Sequence, residues 1–221
     1  MAKLCMNRGV IFDLDGVIID TGYFHKQSWY DLAEKEGFEM SDELFYTTFG
    51  MQNYQIIPKL AGKQVSRNEI GRMSDWKEQR YRELIAGKLQ LLEGVEPLLE
   101  NLKKRGFALA IGTSTPRANL DFMFEYISLA DFFDAYVTGE EVVRGKPAPD
   151  TFLKAAEKLL LPADKCVVVE DAVAGVRAGK AAGMTVVAVT NTTDRAKLAE
   201  ADLVVDSLTE VSAEDFIALI D

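Results

Sequence analysis

The stretch Val10-Ile11-Phe12-Asp13-Leu14-Asp15-Gly16, residues 10–16, sets an apolar run directly against two carboxylates and a glycine. An uninterrupted run rich in Val and Ile predicts a strand buried on both faces of a parallel sheet. Open sheets of this kind bind their ligands beyond the carboxyl ends of the strands, which is where both carboxylates fall. The stretch therefore predicts the first strand of an α/β fold, with a candidate site at its end.

Further apolar runs follow this first strand, which is predicted at 9–12, and helical segments separate them. The runs lie at 107–111, 136–137, 167–169, 185–189 and 203–205. Strands that alternate with helices in this way predict an α/β fold whose core is a Rossmann-like, doubly wound parallel sheet.

The segment from Thr21 to Leu91 has helical periodicity and no clear strand. Helices are predicted there at 24–36, 42–49, 54–60 and 67–85, and the last carries an apolar stripe at three- and four-residue steps. A helical insert between the first two strands predicts an all-helical cap domain at 21–91. The core domain is then formed by 1–20 and 92–221, with hinges at 20–22 and 93–95.

Composition excludes several classes of function. The 221 residues include 35 acidic and 25 basic side chains, which gives a formal charge of −10. Nucleic acid and anionic membranes both require a basic face, so neither is expected as a partner. No apolar run is long enough to span a bilayer and no signal segment is recognised, so a cytoplasmic location is expected. Cys5 and Cys166 lie in apolar stretches and are predicted to be buried, without a disulfide or a metal site.

Asp13 and Asp15 have the spacing that phosphoryl transfer to a carboxylate requires. Asp13 can attack phosphorus and form an aspartyl-phosphate, and Asp15 can protonate the leaving oxygen and then deprotonate water. Gly16 allows the tight turn that aims both side chains. A polar turn without chemistry and a cation-binding loop are the alternatives that this motif leaves open.

A polar segment, Gly112-Thr113-Ser114-Thr115-Pro116-Arg117, follows the second predicted strand. Thr115 is predicted as the N-cap of a helix and Pro116 as its first residue. The free amides and hydroxyls of a helix N-terminus form a ready site for an anion such as phosphate. Taken alone, the segment favours a helix cap without a ligand.

Lys146 opens the segment Lys146-Pro147-Ala148-Pro149-Asp150, in which two prolines hold their neighbours extended. An ammonium group fixed near Asp13 would offset charge on the nucleophile and on a transferring phosphoryl group. Asp150 is predicted to cap the helix that follows. A solvated lysine in a proline turn is the alternative.

Glu170 and Asp171 end the apolar run that begins at Cys166. Adjacent acids at a buried strand end require a compensating cation. Together with Asp13 they would supply the hard oxygen ligands that Mg²⁺ prefers. A helix N-cap by Asp171 is the alternative. Because all four motifs fall at predicted strand ends, their joint occurrence favours one shared site.

These motifs together resemble the haloacid dehalogenase superfamily over essentially the whole chain, in the branch with a helical cap after the first strand that includes β-phosphoglucomutase. The family's motifs fall on Asp13 and Asp15, on Thr113, on Lys146, and on Glu170 and Asp171. The resemblance implies that Asp13 is the nucleophile and Asp15 the general acid and base, with Thr113 and Lys146 completing the catalytic group. It also implies Mg²⁺ held by Asp13, the Asp15 carbonyl and Asp171, with Glu170 assisting. Ser114 would contact the transferring phosphate.

Cap residues bear on the choice between hydrolysis and a mutase reaction. His25 and Lys77 are similar to mutase residues near the leaving group, whereas Asn53 stands where mutases carry an arginine that grips a second phosphate. Arg117 could supply the positive charge that the missing arginine provides in mutases. Without an arginine to bind a second phosphate, the sequence favours a Mg²⁺-dependent phosphatase of a small phosphorylated metabolite, namely a sugar phosphate. The protein is expected to act as a monomer or a weak homodimer. A β-phosphoglucomutase-type mutase is the alternative, and a non-enzymatic module that binds Mg²⁺ or phosphate is the third.

Overall fold

The structure, a computed structural model, describes residues 7–221, and a sheet of six parallel strands lies at its centre. The strands are β1 (Gly9–Phe12), β2 (Ala108–Gly112), β3 (Ala135–Val137), β4 (Cys166–Glu170), β5 (Thr185–Val189) and β6 (Leu203–Val205). Their order across the sheet is β3-β2-β1-β4-β5-β6, and each neighbouring pair is parallel. The order reverses between β1 and β4, which makes the crevice beyond them the switch point where such sheets bind ligands. The predicted doubly wound α/β fold is confirmed.

Between β1 and β2 the chain forms helices that pack on one another. They are α1 (Gly22–Glu36), α2 (Asp42–Thr48), α3 (Asn53–Ala61) and α4 (Arg67–Ile85). Their apolar faces share a separate core that includes Trp29, Leu32, Phe45 and Met73. The same core takes in Ala172 from the loop after β4. The helical segment therefore rests on the end of the sheet where β1 and β4 open.

The two linkers that join this segment to the sheet are paired with each other. Ile19 and Leu91 form an antiparallel bridge. Beside it, the Asp20 amide donates to the Gln90 carbonyl at 3.1 Å. The chain thus leaves the core and re-enters it at one place, next to the residues that follow β1.

Helices cover both faces of the sheet. They are α5 (Val95–Lys104), α6 (Arg117–Tyr126), α7 (Asp150–Leu159), α8 (Val173–Ala181) and α9 (Ala213–Ile220). Successive residues of β1 enter different cores: Val10 and Phe12 join a cluster with Phe216, whereas Ile11 joins a cluster with Phe152. Because both faces are buried, the strand can be apolar at every position. Among the helices of residues 7–221, none combines the length and the apolar character that crossing a membrane needs.

Two of the predicted helix caps are wrong. Helix α6 begins at Arg117 and follows Pro116, which is in extended backbone, so Thr115 is not its N-cap. Helix α7 begins at Asp150 rather than after it, and the Asp150 carboxylate accepts a hydrogen bond from the Arg144 guanidinium at 2.7 Å. In both cases a residue outside the helix forms a hydrogen bond with the side chain that was expected to cap the helix. Local capping rules do not anticipate such partners.

Cys166, the first residue of β4, is buried as the sequence predicts. Burial raises the pKa of its thiol to about 12. A thiol with so high a pKa stays protonated near neutral pH and behaves as a small hydrophobe. The matching prediction for Cys5 falls outside the described residues.

Candidate active site

The ends of β1, β2 and β4 lie side by side. Phe12 pairs with Ile111 of β2 on one side and with Val169 of β4 on the other. Asp13 follows directly, and its amide donates to the Val169 carbonyl at 2.9 Å. The register of three adjacent strands therefore brings the motifs after each of them to one edge of the sheet.

Lys146 joins Asp13 to Glu170. Its Nζ donates to Asp13 Oδ1 and to Glu170 Oε1, each at 2.6 Å, and all three side chains are buried. Burial alone would lower the pKa of Lys146, but the carboxylates of Asp13 and Glu170 raise it well above its usual value. Glu170 Oε2 accepts from the amides of Asp171 and Ala172 at 2.8 and 2.9 Å. The lysine is thus held charged against the predicted nucleophile.

Asp13, Glu170 and Asp171 crowd three carboxylates into buried space, with one oxygen of each within 4.8 Å of the others. Burial, together with Glu170 and Asp15, raises the pKa of Asp13 to about 7. Burial and the neighbouring carboxylates of Glu170 and Asp13 raise the pKa of Asp171 well above its ordinary value. Asp171 Oδ2 accepts from the Thr192 hydroxyl, whereas Asp171 Oδ1 is buried with no hydrogen-bond partner in residues 7–221. A divalent cation that prefers oxygen ligands fits this set, because it would supply both the charge and the partner.

Gly16 lets the loop after β1 close against this acidic cluster. Its φ of 79° lies in the left-handed region. A Cβ at this position would overlap Asp171 Oδ2. The Gly16 carbonyl accepts from Asn191 Nδ2 at 2.8 Å, which ties the loop to the segment after β5. Glycine is therefore required both for the backbone conformation and for the close approach.

The Asp15 carboxylate is bound by a different set of groups. Thr115 donates its hydroxyl proton to Asp15 Oδ2. His25 Nε2 lies 3.0 Å from Asp15 Oδ1, and the Tyr81 hydroxyl, whose ring stacks on His25, lies 3.5 Å from the same oxygen. Burial alone would raise the pKa of Asp15, but His25 and the Thr115 hydroxyl hold it well below its usual range. The contacts of the Asp15 carboxylate are thus different from those of Asp13, although both side chains line one cavity.

Thr115 is a site residue that sequence reasoning missed, because it was assigned to a helix cap. The neighbouring Thr113 is buried, and its hydroxyl accepts from the Thr115 amide at 3.1 Å. Ser114 lies between them and donates its hydroxyl to the Gly50 carbonyl at 2.7 Å. The position of Thr115 in the sequence could have identified it, because every hydroxyl of this segment lies at the end of β2, beside Asp13 and Asp15.

A chain of polar contacts extends from Asp15 into the helical segment. His25 Nδ1 lies 2.9 Å from Lys77 Nζ, which donates to Glu78 Oε1 at 2.9 Å. Asn53 donates to Glu78 Oε1 at 2.8 Å, and Asn119 of α6 donates to Glu78 Oε2 at 2.6 Å. His25, Lys77 and Asn53 were predicted here. Glu78 and Asn119 were missed, since nothing in the sequence distinguishes Glu78 from the other acids of α4.

A cavity of about 40 Å³ lies between the sheet edge and the helical segment. Its lining includes most of the predicted site residues, namely Asp13, Asp15, Thr113, Ser114, His25, Lys77 and Asn53, with Glu78 and Thr115 added. Arg117 does not line it: the guanidinium is exposed, and its Nε donates to Asp121 at 2.7 Å. A single water needs about 10–15 Å³ of such space, so the cavity in this conformation holds only a few waters and is too small for a whole sugar phosphate.

Comparisons with known proteins agree with this geometry. Residues 10–189 match the haloacid dehalogenase-like hydrolase family. Hexitol phosphatase A of Escherichia coli is 33% identical over 208 residues, which cover 93% of this chain and 93% of that protein.

Two solved structures show the same fold. β-Phosphoglucomutase from Clostridium difficile is 28% identical and superposes with a TM-score of 0.87, over 97% of each chain. A point mutant of CbbY from Rhodobacter sphaeroides, in complex with xylulose 1,5-bisphosphate, is 24% identical with a TM-score of 0.81, over 93% of this chain and 96% of that one. At 24% identity the second likeness supports the fold and carries nothing about the ligand.

Proposed function

The chain belongs to the haloacid dehalogenase-like hydrolases and is a phosphoryl-transfer enzyme, and we propose that it is a Mg²⁺-dependent phosphatase of a small sugar phosphate. One observation carries the proposal. Asp13 and Asp15 line the same closed cavity, yet Asp13 is held by Lys146 and Asp15 by Thr115 and His25. Two carboxylates in separate environments suit two separate roles.

In the first step, an Asp13 carboxylate oxygen attacks phosphorus and the bond to the ester oxygen breaks. The proton that the departing oxygen needs comes from the Asp15 carboxyl group, and an aspartyl-phosphate remains on Asp13. Lys146 lies against Asp13 Oδ1 at 2.6 Å and offsets negative charge as the phosphoryl group arrives. The hydroxyl of Ser114, which now binds the Gly50 carbonyl, is available to the phosphate when the helical segment moves away.

In the second step, water attacks the aspartyl-phosphate. Asp15 removes a proton from the water, the bond between phosphorus and the Asp13 oxygen breaks, and inorganic phosphate leaves. In the conformation described here, His25 and the other groups around Asp15 hold its pKa well below the usual range, which favours the ionised form that this second step requires. The protonated form that the first step requires is favoured when the helical segment moves His25 away from the carboxylate. The contact with His25 therefore favours the base function.

Asp13, Asp171 and the Asp15 carbonyl are the proposed Mg²⁺ ligands, with Glu170 holding Lys146 and the loop amides beside them. The ion would supply positive charge to the oxygens of the phosphoryl group and neutralise the buried carboxylates. Asp171 Oδ1, which has no hydrogen-bond partner within residues 7–221, and the raised pKa of Asp13 support this assignment.

We also propose that residues 21–91 act as a cap domain on a core formed by 1–20 and 92–221. Their separate apolar core and the paired linkers support this division. A cavity of about 40 Å³ cannot take a sugar phosphate, so the cap must open to admit the substrate and close to exclude water.

Release of inorganic phosphate from a panel of sugar phosphates, measured with Mg²⁺ present, tests the function. Asp13→Asn should lower kcat on the order of 1,000-fold or more, because it removes the nucleophile. Asp121→Asn, an exposed substitution on α6, is the matched control and should leave kcat unchanged. Full turnover by the Asp13 variant would contradict the role of Asp13 as nucleophile, whereas no release of phosphate from any ester by the wild-type protein would favour the non-enzymatic binding module.

Metal binding has a separate readout. Added MgCl₂ should raise the midpoint of thermal unfolding of the wild-type protein, because a ligand that binds the folded state stabilises it. Asp171→Asn should lose most of that increase. An equal increase in both proteins would contradict the proposed ligand set.

A mutase is the second candidate, because His25 and Lys77 contact each other beside Asp15 as in the predicted mutase pattern, and a β-phosphoglucomutase shares the fold. Conversion of β-glucose 1-phosphate to glucose 6-phosphate without release of phosphate would establish it. Release of phosphate without this conversion would favour the phosphatase.

A further inference from the structure

Thr192, in the loop that follows β5, is a polar residue that the proposed reaction does not use. Its hydroxyl donates to Asp171 Oδ2. The same oxygen lies against the backbone of Gly16, because a Cβ at position 16 would overlap it. Asp171 Oδ1, by contrast, is buried and has no hydrogen-bond partner in the part of the chain that the structure describes. Asp171 therefore has one oxygen that is enclosed by the protein and one that is available to a ligand.

The position of Thr192 is fixed by its surroundings. Asn191 Nδ2 donates to the Gly16 carbonyl at 2.8 Å, which ties the loop after β5 to the turn after β1. The Thr192 methyl group packs against the same turn and against the start of α1, since a Cβ at Gly16 or at Gly22 would lie 3.1 Å from Thr192 Cγ2. These contacts hold the Thr192 hydroxyl toward Asp171.

The other two carboxylates of the acidic cluster are also engaged by protein donors. Both oxygens of Glu170 accept hydrogen bonds, Oε1 from Lys146 Nζ at 2.6 Å and Oε2 from the amides of Asp171 and Ala172. Asp13 Oδ1 accepts from Lys146 Nζ at 2.6 Å. An ion at this cluster is therefore offered one oxygen by Asp13 and one oxygen by Asp171.

Single carboxylate oxygens suit Mg²⁺ better than Ca²⁺. Mg²⁺ is small, requires nearly ideal octahedral geometry and keeps several of its waters beside a few carboxylate oxygens. Ca²⁺ takes roughly six to eight oxygens in flexible geometry, and both oxygens of one carboxylate often bind it together. An Asp171 side chain that offers only Oδ1 meets the requirement of Mg²⁺ and withholds the two-oxygen contact from Ca²⁺.

We infer that Thr192 is a positioning residue that restricts Asp171 to one ligand oxygen and so raises the selectivity of the site for Mg²⁺ over Ca²⁺. The inference rests on the proposed Mg²⁺ site and deepens it, since it assigns the choice of ion to a residue outside the ligand set. Thr192 acts through Asp171 and does not itself contact the ion or the reacting atoms.

The variants Thr192→Ala and Thr192→Ser separate the hydroxyl from the rest of the side chain. Both lose the methyl group, and only Thr192→Ser keeps a donor to Asp171 Oδ2. Isothermal titration calorimetry on metal-free protein gives the Kd of each ion, and the ratio of the Ca²⁺ value to the Mg²⁺ value is compared. Thr192→Ala should lower this ratio about tenfold through weaker Mg²⁺ binding, because losing a residue that orients a metal ligand typically costs about 10- to 100-fold in affinity. Thr192→Ser should keep the wild-type ratio.

A second control lies in the same loop. The Thr190 hydroxyl donates to Asp206 at 2.8 Å, away from the acidic cluster, so Thr190→Val should also keep the wild-type ratio. An unchanged ratio in Thr192→Ala, or an equal loss of affinity for both ions, would overturn the inference and leave the Mg²⁺ site standing. Equal decreases in Thr192→Ala and Thr192→Ser would assign the effect to the methyl group and would also overturn it.

Failure of the metal site itself has a different signature. If neither ion binds the wild-type protein, the proposed Mg²⁺ site is contradicted and the inference fails with it. Because binding is measured without substrate, the result is independent of the phosphate-release assay.

Discussion

Asp15 is held by groups from three separate parts of the chain. Thr115 follows β2, His25 belongs to α1 and Tyr81 to α4. The hydroxyl and the imidazole approach different carboxylate oxygens, so together they fix the orientation of the side chain. Positions far apart in sequence therefore determine how the proposed acid and base is presented to the substrate.

Thr115→Val tests the contribution of the hydroxyl at this residue. The change keeps the shape and removes the donor to Asp15 Oδ2. A hydrogen bond to a charged group contributes about 1.5–3 kcal/mol, so kcat should fall about 10- to 100-fold. KM should change little, and steady-state kinetics on the best monophosphate measure both. An unchanged kcat would show that His25 alone positions the carboxylate.

Thr151→Val is a matched threonine substitution at a second buried position. The Thr151 hydroxyl in α7 is fully buried and has no hydrogen-bond partner among the residues described. Removing an unsatisfied polar group should raise the free energy of unfolding by about 1 kcal/mol, measured by urea denaturation, with kcat unchanged. A loss of stability would indicate that the hydroxyl has a partner, such as a bound water.

At the scale of elements, the turn after β1 carries the strictest requirement. Gly16 has φ 79° and leaves no room for a Cβ beside Asp171, whereas Gly183, at the end of α8, has φ 72° and open space around it. Both glycines adopt the same region of backbone conformation. They differ in whether a side chain would meet the acidic cluster.

Substitutions at Gly16 and Gly183 separate the cost of backbone strain from the cost of a steric clash. Gly183→Ala should lower the free energy of unfolding by about 1 kcal/mol, the usual cost of a left-handed non-glycine residue, and should keep full activity. Gly16→Ala should cost at least about 1 kcal/mol more and should abolish most activity, because it displaces Asp171. Urea denaturation and phosphate release measure the two effects. Equal behaviour of the two variants would contradict the role given to the turn.

The elements that the sequence predicted were located to within a residue or two, whereas helix α9 (Ala213–Ile220) was not predicted. The strand predicted at 107–111 is found at Ala108–Gly112, and the helix predicted at 67–85 is found there. Apolar runs and periodicity report burial, which sets where elements lie. The predicted caps at Thr115 and Asp150 were wrong, since Asp15 and Arg144 engage those side chains. Such partners depend on tertiary contacts that local rules do not include.

At the scale of the whole molecule, hydrogen bonds join the helical segment to the core around the cavity. Gln52 Nε2 donates to the Gly139 carbonyl at 2.6 Å. The Tyr54 hydroxyl donates to the Val143 carbonyl at 3.3 Å and accepts from the Gly145 amide at 3.1 Å. These contacts stabilise the conformation described here, and under the proposed cap opening they would break when a substrate enters.

Tyr54→Phe should weaken closure without disturbing the fold. It removes both hydrogen bonds of a hydroxyl on a residue that is 42% exposed. A loss of about 0.5–1.5 kcal/mol from the closed state should lower kcat/KM about two- to tenfold. Tyr46→Phe, an exposed tyrosine on α2, is the control and should keep the wild-type value. Equal kinetics for both variants would mean that the Tyr54 contacts do not contribute to closure.

The site was predictable where topology alone assembles it. Asp13, Lys146, Glu170 and Asp171 meet because they follow strands or loops that a parallel sheet must place along one edge. Glu78 meets its partners only through the packing of the helical segment on the core. Helix α4 carries several acids, and only the three-dimensional contacts show that Glu78 lines the cavity.

The bridge between Ile19 and Leu91 has a consequence for the history of such a chain. An insertion whose two ends lie at neighbouring backbone positions disturbs the rest of the fold little more than a short surface turn does. The inserted residues can then be exchanged for others of different shape, while the sheet and the proposed catalytic aspartates stay as they are. Replacement of the inserted helical segment alone can therefore change substrate selectivity, while the reaction carried out at the sheet edge stays the same.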